Sequence, residues 1–374
     1  MKAKFALLLP LLGVLVAQPV VAAGLPDRLE RPSRITPLAA QSLLTDLQQV
    51  GDNIVMVGAS GHVLVQGADT SPMQSQVPVD LLLTAVHFGD AQHGWAVGHD
   101  GVILHSTDAG LSWRKQLDGR DIGKLMLDWA EAEVARLEEA SAESPDDEAL
   151  ATALDNAYFA VDDAKAGVEA GPSRPLLDVW FRNAKEGWAV GAYGMIVHTR
   201  DGGQSWTFVA GLDNPERLHL NSVLGLDDGT LLVAGEGGRL HRSSDGGNTW
   251  AAAQQLTDAS LYKLVQLSDG RVLTLGFNGT LQVSHDQGQG WRRIALPVEA
   301  SLYGATQLED GTLLLAGQGG TLLASRDGEK FQRWQAANKV ALLGVAPFNG
   351  ESLLLIGSDG LKRLSRADLK EQLQ

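Results

Sequence analysis

The residues with the clearest chemical potential are four aspartates set in nearly identical surroundings. Ser-x-Asp-x-Gly-x-x-Trp occurs in full as Ser106–Trp113, Ser243–Trp250 and Ser284–Trp291, and Thr199–Trp206 differs only in threonine for serine. Asp108 is thereby paired with Trp113, Asp201 with Trp206, Asp245 with Trp250 and Asp286 with Trp291; a shortened fifth copy puts Phe331 in the aromatic place. Carboxylates hydrolyse glycans by protonating a leaving oxygen and attacking or activating water, so glycan hydrolysis is the first chemistry to weigh. Repetition argues against it, because a catalytic acid is needed once. A side chain that accepts hydrogen bonds from the backbone N–H groups of its own turn is needed in every turn. The aspartates are therefore expected to staple turns, with glycine in the left-handed conformation and the aromatic ring wedged into sheet packing.

Other chemistry is sparse. None of the histidines sits in a His-Glu-x-x-His pattern, and the sequence contains no Asp-x-Asp-x-Asp-Gly calcium loop or phosphate-binding glycine loop. His105 and His198 occupy the same place in successive units, but Arg242 takes that place next, so a third ligand is missing and packing or hydrogen bonding is the expected role. Neither a metal nor a cofactor is expected. Asp-boxes are familiar in sialidases, yet the Phe/Tyr-Arg-Ile-Pro signature of those enzymes is only approached by Ser33-Arg34-Ile35-Thr36-Pro37. A non-enzymatic interaction scaffold is the reading favoured; a carbohydrate-active propeller and a periplasmic ligand-binding propeller are its alternatives.

The elements that position these residues repeat. The glycine ending each apolar run recurs as Gly58, Gly98, Gly191, Gly235, Gly276, Gly317 and Gly357, each followed three residues later by another glycine. One gap of 93 residues separates Gly98 from Gly191, and the others run from 40 to 44. That period signals a propeller or solenoid. Unit two divides into four strands: Leu83 to Phe88, Trp95 to Val97, Val102 to His105, and Trp113 to Leu117. Asp-Gly turns, as in Asp228-Gly229, supply the positive φ of tight hairpins. The fold predicted is an all-β, seven-bladed Asp-box propeller over residues 24–374.

The long gap holds an insertion, residues 118–174, between blades two and three. Its apolar period is helical: Ile122, Leu125, Met126 and Trp129, then Leu150, Leu154, Tyr158 and Val161. Ser144-Pro145-Asp146-Asp147 is expected to start the second of two helices, with Ser144 as its cap. The insertion holds 15 acidic and 5 basic residues, so most of the chain's net charge of −15 resides there. Because strands A to D alternate in direction, the hairpin must rise from the face that carries the Gly-x-x-Gly turns between strands B and C. That face presents His99, Asp100, Tyr193, Glu236, Phe277, Asn278 and Gln318, which with Trp129 and Tyr158 are the candidate partner-binding residues. Blade seven ends in a polar helical tail from Arg366, so its fourth strand is expected to come from the N-terminal arm, Ser33 to Leu38, which would close the ring.

Lys2 and Lys4, the apolar run Phe5 to Ala17 and Val21-Ala22-Ala23 read as a Sec-type export signal over residues 1–23, which places the protein in the periplasm. The sequence has no cysteine, which removes disulfides, thiol catalysis and a lipidated cysteine from these residues. Its acidity argues against nucleic acid as a partner.

Gly94-Trp95-Ala96-Val97-Gly98 and Gly187-Trp188-Ala189-Val190-Gly191, each leading into an Asp-box, resemble the photosystem II stability/assembly factor family over essentially the mature chain. The resemblance implies a seven-bladed propeller that serves as an assembly scaffold, peripheral to the membrane, with a membrane protein or membrane-protein complex as partner. That complex is photosystem II in photosynthetic organisms; bacterial relatives elsewhere are linked with exporters of the resistance–nodulation–division type. The helical hairpin departs from the common pattern, and the arginine patch of photosynthetic members is not mapped onto this sequence residue by residue.

Overall fold

Seven antiparallel sheets follow one another along the chain, six built from four consecutive strands in the order A-B-C-D and the seventh from three. The structure, a computed structural model, describes residues 26–68 and 70–372; the export signal expected over residues 1–23 lies outside them. Blade one comprises Leu44–Val50, Asn53–Gly58, Val63–Gly67 and Met73–Gln74. Blade two comprises Leu83–Phe88, Gly94–Gly98, Ile103–Ser106 and Arg114–Leu117, close to the strands expected from its sequence. Strand A opens blades three to six at Leu176, Leu220, Leu261 and Leu302, and blade seven at Leu342.

Strand B is almost entirely apolar, with Thr274 of blade five a buried exception, because neighbouring blades cover both of its faces. In blade four, Leu231 and Val233 pack toward blade three, whereas Leu232 and Ala234 pack toward blade five. This is the two-residue alternation of a strand, read out in two directions at once. Seven apolar clusters result among the described residues, one at each junction between blades.

The leading glycine of each unit is required by close approach. A Cβ on Gly191 would stand 2.3 Å from the carbonyl oxygen of Pro175, just ahead of strand A, and the same clash recurs at the other six leading glycines. The residue after it, Ala192, donates its N–H to that carbonyl at 3.0 Å. The turn between strands B and C thus staples the entry of strand A. In every blade the pairing of strands A and B also shifts register just after strand A begins, a bulge that turns two successive side chains toward the ring axis.

The insertion forms two helices, α1 (Gly119–Glu143) and α2 (Glu148–Ala170). Asp118 and Asp121 form a capping box at the start of α1. The cap of α2 is Asp147, whose carboxylate accepts from the N–H groups of Ala149 and Leu150; it is not Ser144. Ser144 instead closes α1, donating its N–H to Ala140 O, because an acid one residue before the helix satisfies two free donors and favours the positive end of the dipole. Ile122 is buried with Leu176 and Met195 of blade three, and Gly119 lies against the Gly101 turn of blade two. The hairpin therefore sits on the face of the B–C turns, opposite the Asp-boxes.

Ring closure differs from expectation. The arm is not a strand of blade seven, whose sheet has three strands: Leu342–Phe348, Ser352–Gly357 and Gly360–Ser365. Ser33 donates its N–H to Val77 O, and Gln74 bonds both Arg34 O and Thr36 N, so the arm lies along the outer side of blade one. Blade one has only Met73–Gln74 as its own outer strand, which leaves polar backbone there for the arm to satisfy. Blades seven and one meet instead through apolar packing of Leu44, Met56, Ala346, Phe348, Leu354 and Ile356. The helix Arg366–Gln372 replaces the missing strand and buries Leu369 at the junction of blades six and seven.

Candidate functional site

The seven candidates His99, Asp100, Tyr193, Glu236, Phe277, Asn278 and Gln318 all lie in the turns between strands B and C, hence on one face. The middle residue of each turn adopts a left-handed conformation, with φ of +56° at Asp100, +58° at Tyr193 and +52° at Asn278. For a residue as bulky as tyrosine that conformation is strained. Blades four and six relax it with Gly237 and Gly319 at the same place. Glu236 is half-buried and accepts the N–H of His219 at 2.9 Å, so part of its bonding capacity is spent on its own scaffold. Tyr193 and Phe277 are each 52% exposed.

The hairpin divides these candidates. Trp129 on α1 meets Phe208 of blade three with ring centroids 5.4 Å apart, and both line a groove of about 220 Å³ with Tyr193. Tyr193 carries the Arg174 guanidinium over its ring at 5.2 Å and touches the His219 ring edge-on at 5.1 Å. Arg217 closes one end through a 2.6 Å ion pair with Asp163 of α2. Tyr158 is separate from this groove. Its hydroxyl donates to Glu138 at 2.5 Å, a hydrogen bond that also pushes the phenol pKa up. Glu236, Phe277, Asn278 and Gln318 belong to blades four to six.

On the opposite face the Asp-boxes consume their own polar groups. In blade three, Asp201 accepts from the N–H of Ser205 at 2.9 Å, from the Ser205 hydroxyl at 2.6 Å and from the Thr199 hydroxyl at 2.9 Å. These hydrogen bonds, the Ser205 hydroxyl foremost, hold its pKa at about 2. Asp108 and Asp245 repeat the pattern, Asp286 accepts from the N–H of Gly290, and Asp245 is likewise held at about 2. Trp113 and Trp291 donate their indole N–H to a carbonyl within the turn, whereas those of Trp206 and Trp250 are buried without a hydrogen-bond partner. His105 and His198 stack on Trp95 and Trp188 of the adjacent strand at 4.6 and 4.5 Å. Burial, followed by the Arg114 charge, pushes His105 down to about 4.

The central channel, about 270 Å³, contains a charged cluster that motif spacing does not single out. Lys263 Nζ lies 3.2 Å from Asp178 and 3.9 Å from Asp46, reaching across the ring from blade five to blades three and one. Burial alone would lower the ammonium pKa, but Asp178 and Asp46 outweigh it and hold the group above its ordinary value. Burial pushes the Asp46 carboxyl up against the pull of Lys263, and it pushes His87 down to about 4. Most of these groups are already committed to linking blades. Asp46 accepts Val86 N–H, Asp178 accepts Val223 N–H and the Ser222 hydroxyl, and His87 accepts Phe181 N–H. Thr45, Thr84 and Asn221 each donate to the first carbonyl of the next strand A. No arginine lines the channel among the described residues. The sequence does carry a signal for the cluster. Two residues after the start of each strand A stand Asp46, Ala85, Asp178, Ser222, Lys263, Gly304 and Gly344, so charges occur at one fixed position in the innermost strand.

Residues 166–258, which run from the end of α2 through blades three and four, match a family model described as photosynthesis system II assembly factor YCF48. The chain is 27% identical over 215 residues to the photosystem II assembly lipoprotein Ycf48 of Synechococcus sp. (strain CC9902), a match covering 55% of this chain and 47% of that protein. These matches support a photosystem II assembly factor-like family. A shorter match, 39% identical over 67 residues, is to the chloroplast photosystem II stability/assembly factor HCF136 of Arabidopsis thaliana and covers 18% of this chain and 16% of that one. The chain thus spans about half or less of the length of these curated relatives. Among solved structures, YCF48 bound to a D1 peptide aligns over 87% of this chain and 94% of its own, with a TM-score of 0.58 at 16% identity. YCF48 from Cyanidioschyzon merolae aligns over 90% and 99%, with a TM-score of 0.59 at 15% identity. At such identities the likeness is one of fold.

Proposed function

We propose that this protein is an exported, non-enzymatic scaffold that assists the assembly of a membrane-protein complex, with a subunit of photosystem II as its partner in a photosynthetic host. The observation that carries the proposal is the match over 215 residues to a photosystem II assembly lipoprotein. The geometry agrees with it: Asp-box carboxylates and most channel groups are spent on holding turns and blades, while the B–C face presents unlike exposed side chains and the added hairpin. In a host without photosystems, the same face would serve an exporter of the resistance–nodulation–division type.

Crosslinking in intact cells followed by affinity capture and mass spectrometry tests the proposal. The expected result is recovery of a membrane-protein subunit together with the scaffold, and accumulation of unassembled subunits when the gene is removed. Recovery of no membrane protein, with purified protein cleaving a sialoside, would overturn it in favour of the carbohydrate-active alternative.

A further inference from the structure

The groove between the hairpin and blade three has an apolar interior, and the hairpin that forms one of its walls is acidic as a whole. Trp129, Tyr193 and Phe208 form its aromatic walls, and Met126 and Ala160 its apolar lining. Its volume suits one bulky side chain; a drug-sized ligand needs a larger cavity. Aromatic surface here remains open to solvent. Trp129 is 36% exposed, and Phe159, one helical turn before the groove residue Asp163, is 70% exposed. Apolar surface of this kind, rimmed by charge, marks a docking site.

The charge decides what docks. Residues 119–170 hold 14 acidic and 4 basic side chains, a net of −10. Asp163 is neutralised by Arg217 and Arg174, whereas Asp128, beside Trp129, and Asp162, beside Asp163, form no ion pair among the described residues. Such a field attracts a cationic segment and repels an anionic lipid surface or a second copy of this acidic chain. We infer that the groove binds a basic polypeptide segment of a partner protein, with one bulky apolar side chain seated between Trp129, Tyr193 and Phe208 and flanking lysines or arginines against the hairpin carboxylates. The inference rests on the scaffold reading and adds the chemistry of the segment recognised.

The probe is a fluorescein-labelled 12-residue peptide with a central tryptophan flanked by lysines, followed by fluorescence anisotropy with the full chain. Two controls replace the tryptophan by alanine or all lysines by glutamates. Expected are saturable binding that weakens as salt rises, at least tenfold weaker binding of the alanine peptide, and none of the glutamate peptide. Trp129→Ala should weaken binding at least tenfold, and so should the double reversal Asp128→Lys with Asp162→Lys, which alters exposed charge without touching the groove's apolar packing. Leu111→Ala, at an exposed position in an Asp-box turn on the opposite face, should leave it unchanged. Absence of binding, equal binding of the alanine peptide, or equal binding by the charge-reversed protein would overturn the inference. A photocrosslinker at Trp129 compared with one at Phe277 separates the two proposals: a membrane protein captured only from Phe277 would overturn the groove assignment and leave the scaffold standing.

Discussion

Lys263→Met should weaken the ring from its centre, in a way that depends on pH. The ammonium interacts with Asp178 at 3.2 Å and Asp46 at 3.9 Å, attractions of about 5 and about 4 kcal/mol at an effective dielectric constant of about 20. The cost of removing an ammonium from water offsets much of this. Deleting one partner of a buried pair nonetheless costs about 3–5 kcal/mol, because the other charge is left unpaired. Lys263 keeps 29% exposure toward the channel, where water relieves part of that penalty, so we expect a net loss of about 2–3 kcal/mol at pH 7. In a domain of this size that lowers Tm by about 3–4 °C. Adding Asp46→Asn should recover part of the loss, since one uncompensated carboxylate is then gone. The sign with pH follows from Asp46, whose pKa burial already raises while Lys263 holds it back. Without Lys263, folded Asp46 binds a proton more readily than the unfolded chain does, so the variant gains stability relative to wild type as pH falls from 8 to 5. Thermal melts followed by circular dichroism across that range are the assay. A Tm deficit that is absent at pH 8, or that grows as pH falls, would refute the reasoning.

Asp201→Ala should cost about 0.5–1 kcal/mol, because the lost acceptor is half-buried and water replaces it for the exposed Ser205 donors; urea titration measures this, and loss of peptide binding without loss of stability would make this box a site. With its pKa held at about 2, Asp201 contributes stability above its unfolded pKa near 4 and loses it as pH falls toward 2. His87, His105 and His241 are each pushed down to about 4, with burial the largest cause. Their unfolded forms therefore take up protons first, and stability should fall as pH drops from about 6.5 to 4; His241→Gln should flatten the Tm profile over that window, and an unchanged slope would contradict the assignment. Tyr193→Gly removes left-handed strain of about 1–2 kcal/mol but also the Arg174 and His219 contacts. Its stability should therefore stay within about 1 kcal/mol of wild type while probe binding weakens; a large destabilisation would show the ring to be a structural anchor.

Features built on short-range contacts are legible in the amino-acid sequence of this protein. The seven units follow from glycines such as Gly191, whose Cβ would strike a carbonyl within its own blade. The Asp-box follows from hydrogen bonds spanning four residues or fewer. The hairpin face follows from strand alternation alone. The identity of the site does not, because it depends on contacts between distant parts of the chain. Trp129 and Tyr193 share a groove, while Tyr158, equally aromatic and on the same hairpin, bonds Glu138 elsewhere. Helical periodicity places a side chain on a face but does not say which neighbour that face meets. The arm could satisfy its backbone on any blade with a short outer strand, and only packing at the junction of blades seven and one decided that the ring closes without it. Lys263 and Asp178 stand 85 residues apart, and Asp46 lies further away in sequence. Units one, three and five each hold one charge at the same inward position, and only closure of seven blades around one axis makes Asp46, Asp178 and Lys263 neighbours.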